Sequence, residues 1–257
     1  MGHMDHAAFG WLTPVLSYVM ACIGAALGLR CTVRALATTG RSRRNWLITA
    51  ASAIGTGIWT MHFVAMLGFR VSGTEIRYDV PLTILSLVVA MVVVCAGVFA
   101  VGYSRDRNRA LLLGGLTTGL GVASMHYLGM AAVRLHGDVT YDPTLVGLSV
   151  LIAVVAATAA LWAGLNIKSP LAVTVASLVM GVAVTSMHYT GMFAVSVRVT
   201  PSSEVLPGAT AMQFIFPLAV GLGSYLFLTS AFVALSPTAD EREASASAQR
   251  PVESAAR

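Results

Sequence analysis

Seven apolar runs, none of which contains Asp, Glu, Lys or Arg, restrict the fold of this chain more than any other feature of its sequence. A helix needs about 20 predominantly apolar residues to cross the hydrocarbon core of a bilayer. Backbone groups in lipid must be paired within the protein, which favours helices over open sheets. We therefore predict an all-α integral membrane protein with seven transmembrane helices. The predicted spans are residues 11–29, 46–69, 80–103, 110–133, 144–166, 171–197 and 212–235.

The composition supports the same class, because only 11% of the residues are charged, against about 25% in soluble domains. The segment before the first run has no Lys or Arg and no small-residue cleavage site follows the run, so we expect a retained helix rather than a signal peptide. We assign residues 7–235 to one membrane domain. Residues 236–257 have the composition of a disordered tail. We expect no catalytic output domain and therefore no enzymatic activity.

The distribution of basic residues predicts the orientation. Nine Lys and Arg residues follow the first, third and fifth runs, whereas the short loops on the other side hold only Arg70, Arg77, Arg134 and Arg198. By the positive-inside rule, the N-terminus lies outside and the tail is cytoplasmic. Arginines beside a membrane suit anionic lipid, so the predicted partner of this charge is the lipid bilayer and not nucleic acid.

The first six runs form three copies of a two-helix unit, in which an inward helix is followed by an outward helix. Before the third run stands Tyr78-Asp79 with Leu85-Ser86 following, and Tyr141-Asp142 with Leu148-Ser149 repeats this before the fifth run. A degenerate version, Phe9-Gly10 with Leu16-Ser17, belongs to the first run. We therefore predict three parallel repeats about an axis along the membrane normal, with the seventh helix added to them.

Each outward helix carries the same phrase, MHFVAM at 61–66, MHYLGM at 125–130 and MHYTGM at 187–192. Apart from tyrosine and cysteine, its histidines are the only ionisable side chains within the apolar runs. The next arginine comes eight to ten residues later in every copy, so all three imidazoles lie at one depth, about 12–15 Å below those arginines. We predict that His62, His126 and His188 form one layer facing the bundle interior, in one shared site or in separate sites.

A histidine and a methionine spaced i and i+4 are neighbours on one helical face. Imidazole with thioether is a ligand set that suits copper, Cu(I) in particular, better than calcium or magnesium. One such histidine commonly has a structural role, but three at matched depth favour a ligand-binding or sensing role. Tyr127 and Tyr189, next to two of the histidines, are expected to be interfacial or hydrogen-bond partners, and Phe63 shows that the hydroxyl is dispensable in the first copy.

The triple M-H-[FY]-x-[GA]-M motif on alternate helices resembles the MHYT domain, a bacterial inner-membrane sensor module, over about residues 7–235. The resemblance implies copper binding and, through copper, sensing of oxygen, carbon monoxide or nitric oxide. It also implies a separate signalling partner, because many relatives carry cytoplasmic cyclic-di-GMP domains. The implied metal ligands are His62, Met66, His126, Met130, His188 and Met192, with Met61, Met125 and Met187 as further candidates.

Two other functions remain open from the sequence. A metal transporter would also use parallel repeats and ligands within the bilayer, but the runs contain no Asp or Glu for proton coupling. A haem protein would use two histidines as axial ligands, whereas the sequence offers three.

Overall fold

The computed structural model describes residues 4–5, 9–167 and 169–236, and within these ranges seven helices are long and apolar enough to cross a membrane. This confirms the predicted all-α fold and its seven spans. The predicted tail lies outside the described residues, apart from Ser236. The helices are α1 (Leu12–Leu36), α2 (Gly40–Leu67), α3 (Val80–Tyr103), α4 (Arg107–Ala131), α5 (Pro143–Asn166), α6 (Pro170–Phe193) and α7 (Phe216–Leu235), the last preceded by a π-helical turn (Ala211–Ile215).

The first six helices form a closed ring. Each of them packs against the next one along the chain, and α6 packs back against α1, while α7 lies outside the ring against α1 and α2. Close approach of the helices depends on glycine where an added Cβ would collide with the neighbouring backbone. At Gly24, for instance, a Cβ would lie 2.7 Å from Cα of Gly57 in α2. The three two-helix repeats therefore surround a common axis.

Short antiparallel strand pairs close one end of the ring, which we call the strand end. In every repeat, the strand that precedes the inward helix pairs with the strand that follows the outward helix. These strands contain only two to five residues each and were not predicted from the sequence. They are β1 (Met4–Asp5), β2 (Arg70–Val71), β3 (Arg77–Tyr78), β4 (Val133–Arg134), β5 (Gly137–Tyr141), β6 (Val195–Val199) and β7 (Ala209–Thr210), the last paired with β3.

Helix starts at the strand end follow the repeated Tyr-Asp pair. The carboxylates of Asp79 and Asp142 accept hydrogen bonds from backbone N–H groups in the first turns of α3 and α5. This satisfies N–H groups that have no partner within the helix. Asp79 and Asp142 therefore mark the starts of α3 and α5.

The helix ends differ from the predicted spans at two places. The span predicted for residues 171–197 runs too far, because α6 ends at Phe193 and the following residues pair as β6. In addition, α1 and α2 extend well beyond the apolar runs, so that Arg34 and Arg43 lie on helices rather than in a long loop. Hydropathy marks the hydrocarbon core, whereas a helix continues into the headgroup region. The opposite end of the ring, which carries these arginines and Arg107, is called the basic end.

Candidate metal centre

The three histidines meet on the axis of the ring. His62 on α2, His126 on α4 and His188 on α6 are at most 1% exposed. Their Nδ1 atoms form a triangle, with 3.0 Å between His62 and His188, 3.1 Å between His126 and His62, and 3.3 Å between His188 and His126. The rings meet edge to face, with centroids 4.9–5.2 Å apart. The predicted interior layer is therefore one cluster and not three separate sites.

Glycines on the neighbouring outward helices make room for the rings. A Cβ at Gly129 would lie 2.5 Å from Nε2 of His62, and a Cβ at Gly191 would collide with Nε2 of His126. Both Nε2 atoms are buried and have no hydrogen-bond partner within the described part of the chain. The motif glycines thus set the position of the imidazole that belongs to the preceding repeat. The sequence contained this signal, since Gly129 and Gly191 belong to the repeated phrase, but their contact with a different repeat was not predicted.

The serines of two Leu-Ser pairs, Ser86 and Ser149, each share a hydrogen bond with an aromatic side chain of the preceding repeat. Tyr127 and Ser149 share a hydrogen bond of 2.6 Å between hydroxyl oxygens. In the first repeat Phe63 has no hydroxyl, and the indole N–H of Trp59 instead donates to Oγ of Ser86 at 2.9 Å. Trp59 and Phe63 stack with centroids 4.3 Å apart. A residue one turn earlier therefore replaces the missing hydroxyl, a substitution that the sequence analysis missed.

All six methionines of the motif are buried, none being more than 4% exposed. Met66, Met130 and Met192 lie one turn from the histidines towards the strand end, about 6 Å along the helix axis. Met61, Met125 and Met187 directly precede the histidines, on the side of the basic end. The methionines that precede the histidines and those one turn after them thus lie on opposite sides of the histidine layer.

The strand end closes the histidine layer off from that side. Tyr78 is 1% exposed and donates a hydrogen bond to the carbonyl oxygen of Met66 at 3.4 Å. Arg134 pairs with the carboxylate of Asp79 at 2.7 Å, which ties the end of α4 to the start of α3. The arginines that follow the three histidines, Arg70, Arg134 and Arg198, therefore lie at the strand end, where Arg134 has a structural partner.

Three nitrogens in mutual contact cannot all be paired by hydrogen bonds. A neutral imidazole nitrogen offers either one N–H or one lone pair, so three Nδ1 lone pairs converge on a common centre unless one of them is protonated. The centre of a triangle with these sides is about 1.8 Å from each nitrogen, close to the ~2.0–2.1 Å of a zinc–imidazole bond. The three side chains could therefore hold a metal ion, and they are the one group of three or more His, Cys, Asp or Glu residues with this property among the described residues.

A ring of apolar helices with three converging imidazoles at its centre defines a multi-pass membrane protein with a buried histidine cluster that could hold a metal ion. The family model described as "Bacterial signalling protein N terminal repeat" matches residues 55–115 and 119–180. The chain belongs to this family, the MHYT family. The model matches two copies, and the structure adds a third that carries His188.

The curated relatives are signalling proteins. The chain is 39% identical over 193 residues to the bifunctional diguanylate cyclase/cyclic di-GMP phosphodiesterase MucR of Pseudomonas aeruginosa, a match covering 73% of this chain and 28% of MucR. It is 35% identical to the cyclic di-GMP phosphodiesterase NbdA of the same organism, with 76% of this chain and 26% of NbdA covered. The signaling protein YkoW of Bacillus subtilis is 31% identical, with 74% of this chain and 24% of YkoW covered. The chain thus spans about a quarter of these relatives, and no solved structure matches it.

Proposed function

We propose that this sensor domain binds copper at the histidine layer and uses it to sense a diatomic gas (oxygen, carbon monoxide or nitric oxide) or the redox state. The observation that carries the proposal is the convergence of the Nδ1 atoms of His62, His126 and His188 at 3.0–3.3 Å in a fully buried layer. Neutral imidazoles bring no anionic charge into the hydrocarbon region, which suits a site in a membrane.

The methionines complete the proposed ligand set. Met66, Met130 and Met192 supply thioethers on the strand side of the layer, and Met61, Met125 and Met187 are the further candidates on the other side. Thioether sulfur favours Cu(I) over harder cations. When bound, copper would supply an open coordination position or a one-electron couple. The histidines would hold the ion, and the buried shell would keep bulk water from it.

A haem group fits this arrangement poorly. Two axial histidines must leave space between their nitrogens for iron and for the plane of the porphyrin, whereas these three nitrogens are in contact with one another. A transporter would need a route through both ends of the ring, and the strand pairs close one end. Both observations favour the sensing function over the two alternatives.

We further propose that the strand end faces the outside and the basic end the cytoplasm, where a separate signalling partner receives the signal. The concentration of arginines at the basic end supports this orientation. Two relatives are named for cyclic-di-GMP turnover. We therefore infer that the partner controls a cytoplasmic signalling activity of this kind.

The metal content of the purified protein, with optical spectra of the oxidised and reduced forms, tests the proposal. We expect about one copper per chain in the wild type and none in His126→Ala. Met130→Leu keeps volume and hydrophobicity but removes the sulfur, so we expect selectively weaker Cu(I) binding. If Met130→Leu and Met66→Leu both keep the wild-type Cu(I) affinity, the thioethers are packing residues and the histidines alone form the site. A Soret band, or zinc in place of copper, would refute the proposal.

A further inference from the structure

A cavity of about 60 Å³ lies on the ring axis, on the basic side of the histidine layer. All six ring helices line it. The residues four and eight positions before each histidine belong to the cavity wall. They lie about 6 and 12 Å from the histidine layer, towards the basic end. These residues are Ile58, Val122 and Val184 in the upper tier and Ile54, Thr118 and Met180 in the lower tier. We call this space the axial cavity.

The wall of the axial cavity is apolar. Its only side-chain hydroxyls belong to Thr32 and Thr118, and both are used within the protein. Thr32 donates to the carbonyl oxygen of Gly28 at 2.8 Å and Thr118 to that of Val93 at 3.4 Å. An apolar cavity without two or more free polar partners stays dry, even where it exceeds the ~10–15 Å³ that one water needs. The chemistry of the wall therefore selects a small, uncharged, apolar occupant.

Small side chains on α5 keep the space open. Ala153, Ala156, Ala157 and Ala160 line it, followed by Gly164. When the repeats are aligned on their buried serines, Ser86 and Ser149, the positions of Ala157 and Gly164 correspond to Val94 and Val101 of α3. The third repeat therefore has less side-chain volume at these two places, although Leu161 is larger than Val98 at the aligned position between them.

The axial cavity extends to the residue that precedes the histidine on α6, and its wall includes none of the three histidines. Met187, which directly precedes His188, is part of its wall. Towards the strand end, by contrast, the layer is covered by Met66 and Tyr78, both at most 1% exposed. A cavity at the strand end also has Met66 and Tyr78 in its wall, but that wall carries Arg70, Thr74 and Glu75. The apolar approach to the layer is therefore from the basic side.

We propose that the axial cavity holds one small apolar molecule, of the size of a diatomic gas, and delivers it to the histidine layer from the basic side. The holding of the molecule stands on the cavity alone. The delivery rests on the proposed function, since it presumes that the layer carries the metal.

Xenon and carbon monoxide are suitable probes, used on the full chain in nanodiscs. Ala157→Leu adds three carbons to the wall of a cavity of about 60 Å³, so the larger side chain should fill it. Ala159→Leu is the matched control, because Ala159 is an exposed alanine on the same helix. We expect saturable xenon binding in the wild type and the control but not in Ala157→Leu. In copper-loaded protein, carbon monoxide association should slow by about tenfold or more in Ala157→Leu, with unchanged copper content.

Binding in the axial cavity and delivery to the histidine layer are tested by different results. If Ala157→Leu binds xenon as the wild type does, or if a lipid chain occupies the cavity, the inference is wrong whatever the metal. If the protein binds no copper, the proposed function fails while the xenon result still decides the cavity. If carbon monoxide reacts equally fast in both proteins, delivery by this route is refuted. Val94→Ala enlarges the cavity and should strengthen xenon binding, which tests the inference even if Ala157→Leu does not fold.

Discussion

Replacing Gly129 with alanine should disturb the histidine layer from a different helix. The new Cβ would lie 2.5 Å from Nε2 of His62, where ordinary contact begins at 3.4 Å. Nε2 must therefore retreat by about 0.9 Å, and because the imidazole is rigid, its Nδ1 moves as well. Metal–ligand distances tolerate deviations of only about ±0.2 Å. We expect the affinity for copper to fall by about 10–100-fold, as for other residues that orient a ligand.

The same change should have a small effect on stability. Alanine favours a helix over glycine by roughly 0.5–1 kcal/mol, and overpacking in a filled interior costs about 1–3 kcal/mol. The net loss of about 0–2.5 kcal/mol is below the ~5–15 kcal/mol stability of a typical domain, so the fold should stay in place. Gly191→Ala, which places its Cβ against His126, should behave in the same way.

Competition against a chelator of known Cu(I) affinity, combined with the melting temperature, would measure both effects. Gly147→Ala is the control, because Gly147 is an exposed helical glycine with nothing within 4 Å of an added Cβ. It should keep the wild-type affinity and melt at the same or a higher temperature. Wild-type copper affinity in both Gly129→Ala and Gly191→Ala would refute the reasoning, because the glycines would then serve helix packing alone.

Three further predictions concern the two ends and the interior of the ring. Reporter fusions at Arg43 should read cytoplasmic and fusions at Asp79 external; a cytoplasmic reading at Asp79 would overturn the orientation. The hydrogen bond from Arg134 lowers the pKa of Asp79. The pair therefore stabilises the fold above the ordinary carboxyl pKa of about 4, and this stabilisation is lost as the pH falls below it. In Asp79→Asn the melting temperature should depend less on pH between pH 5 and 2, which thermal unfolding would detect. Trp59→Phe removes the donor to Ser86 and should cost about 1 kcal/mol or more in thermal unfolding, and an unchanged melting temperature would contradict this.

Much of the architecture was predictable because lipid imposes strict rules on sequence. Uncharged runs gave all seven spans, and three outward helices with one motif required the histidines to share a depth. The interior position of His126 also followed, because an imidazole exposed to acyl chains would be unsatisfied. These inferences depend on period and polarity, which a single sequence displays directly.

Contacts between repeats were not predictable in the same way. Whether the histidines formed one site depended on the radius of the ring, which close contacts such as that of Gly24 with Gly57 set. The partner of Ser86 changed from a tyrosine to Trp59 because Phe63 lacks a hydroxyl, and no local pattern marks such a replacement. The strand pairs were missed because segments as short as Arg70–Val71 carry no usable alternation.

The closed ring implies an order in which the histidine layer is assembled. His62 enters the membrane with α2, before either of its partners has been synthesised, and the triangle is complete only when α6 docks on α1. That last contact joins distant parts of the chain, as the hydrogen bond from Tyr18 to the carbonyl oxygen of Leu178 shows. Contacts so far apart in sequence form late. A chain stalled after α4 would hold two of the three imidazoles, so only a fully inserted molecule has the complete histidine layer.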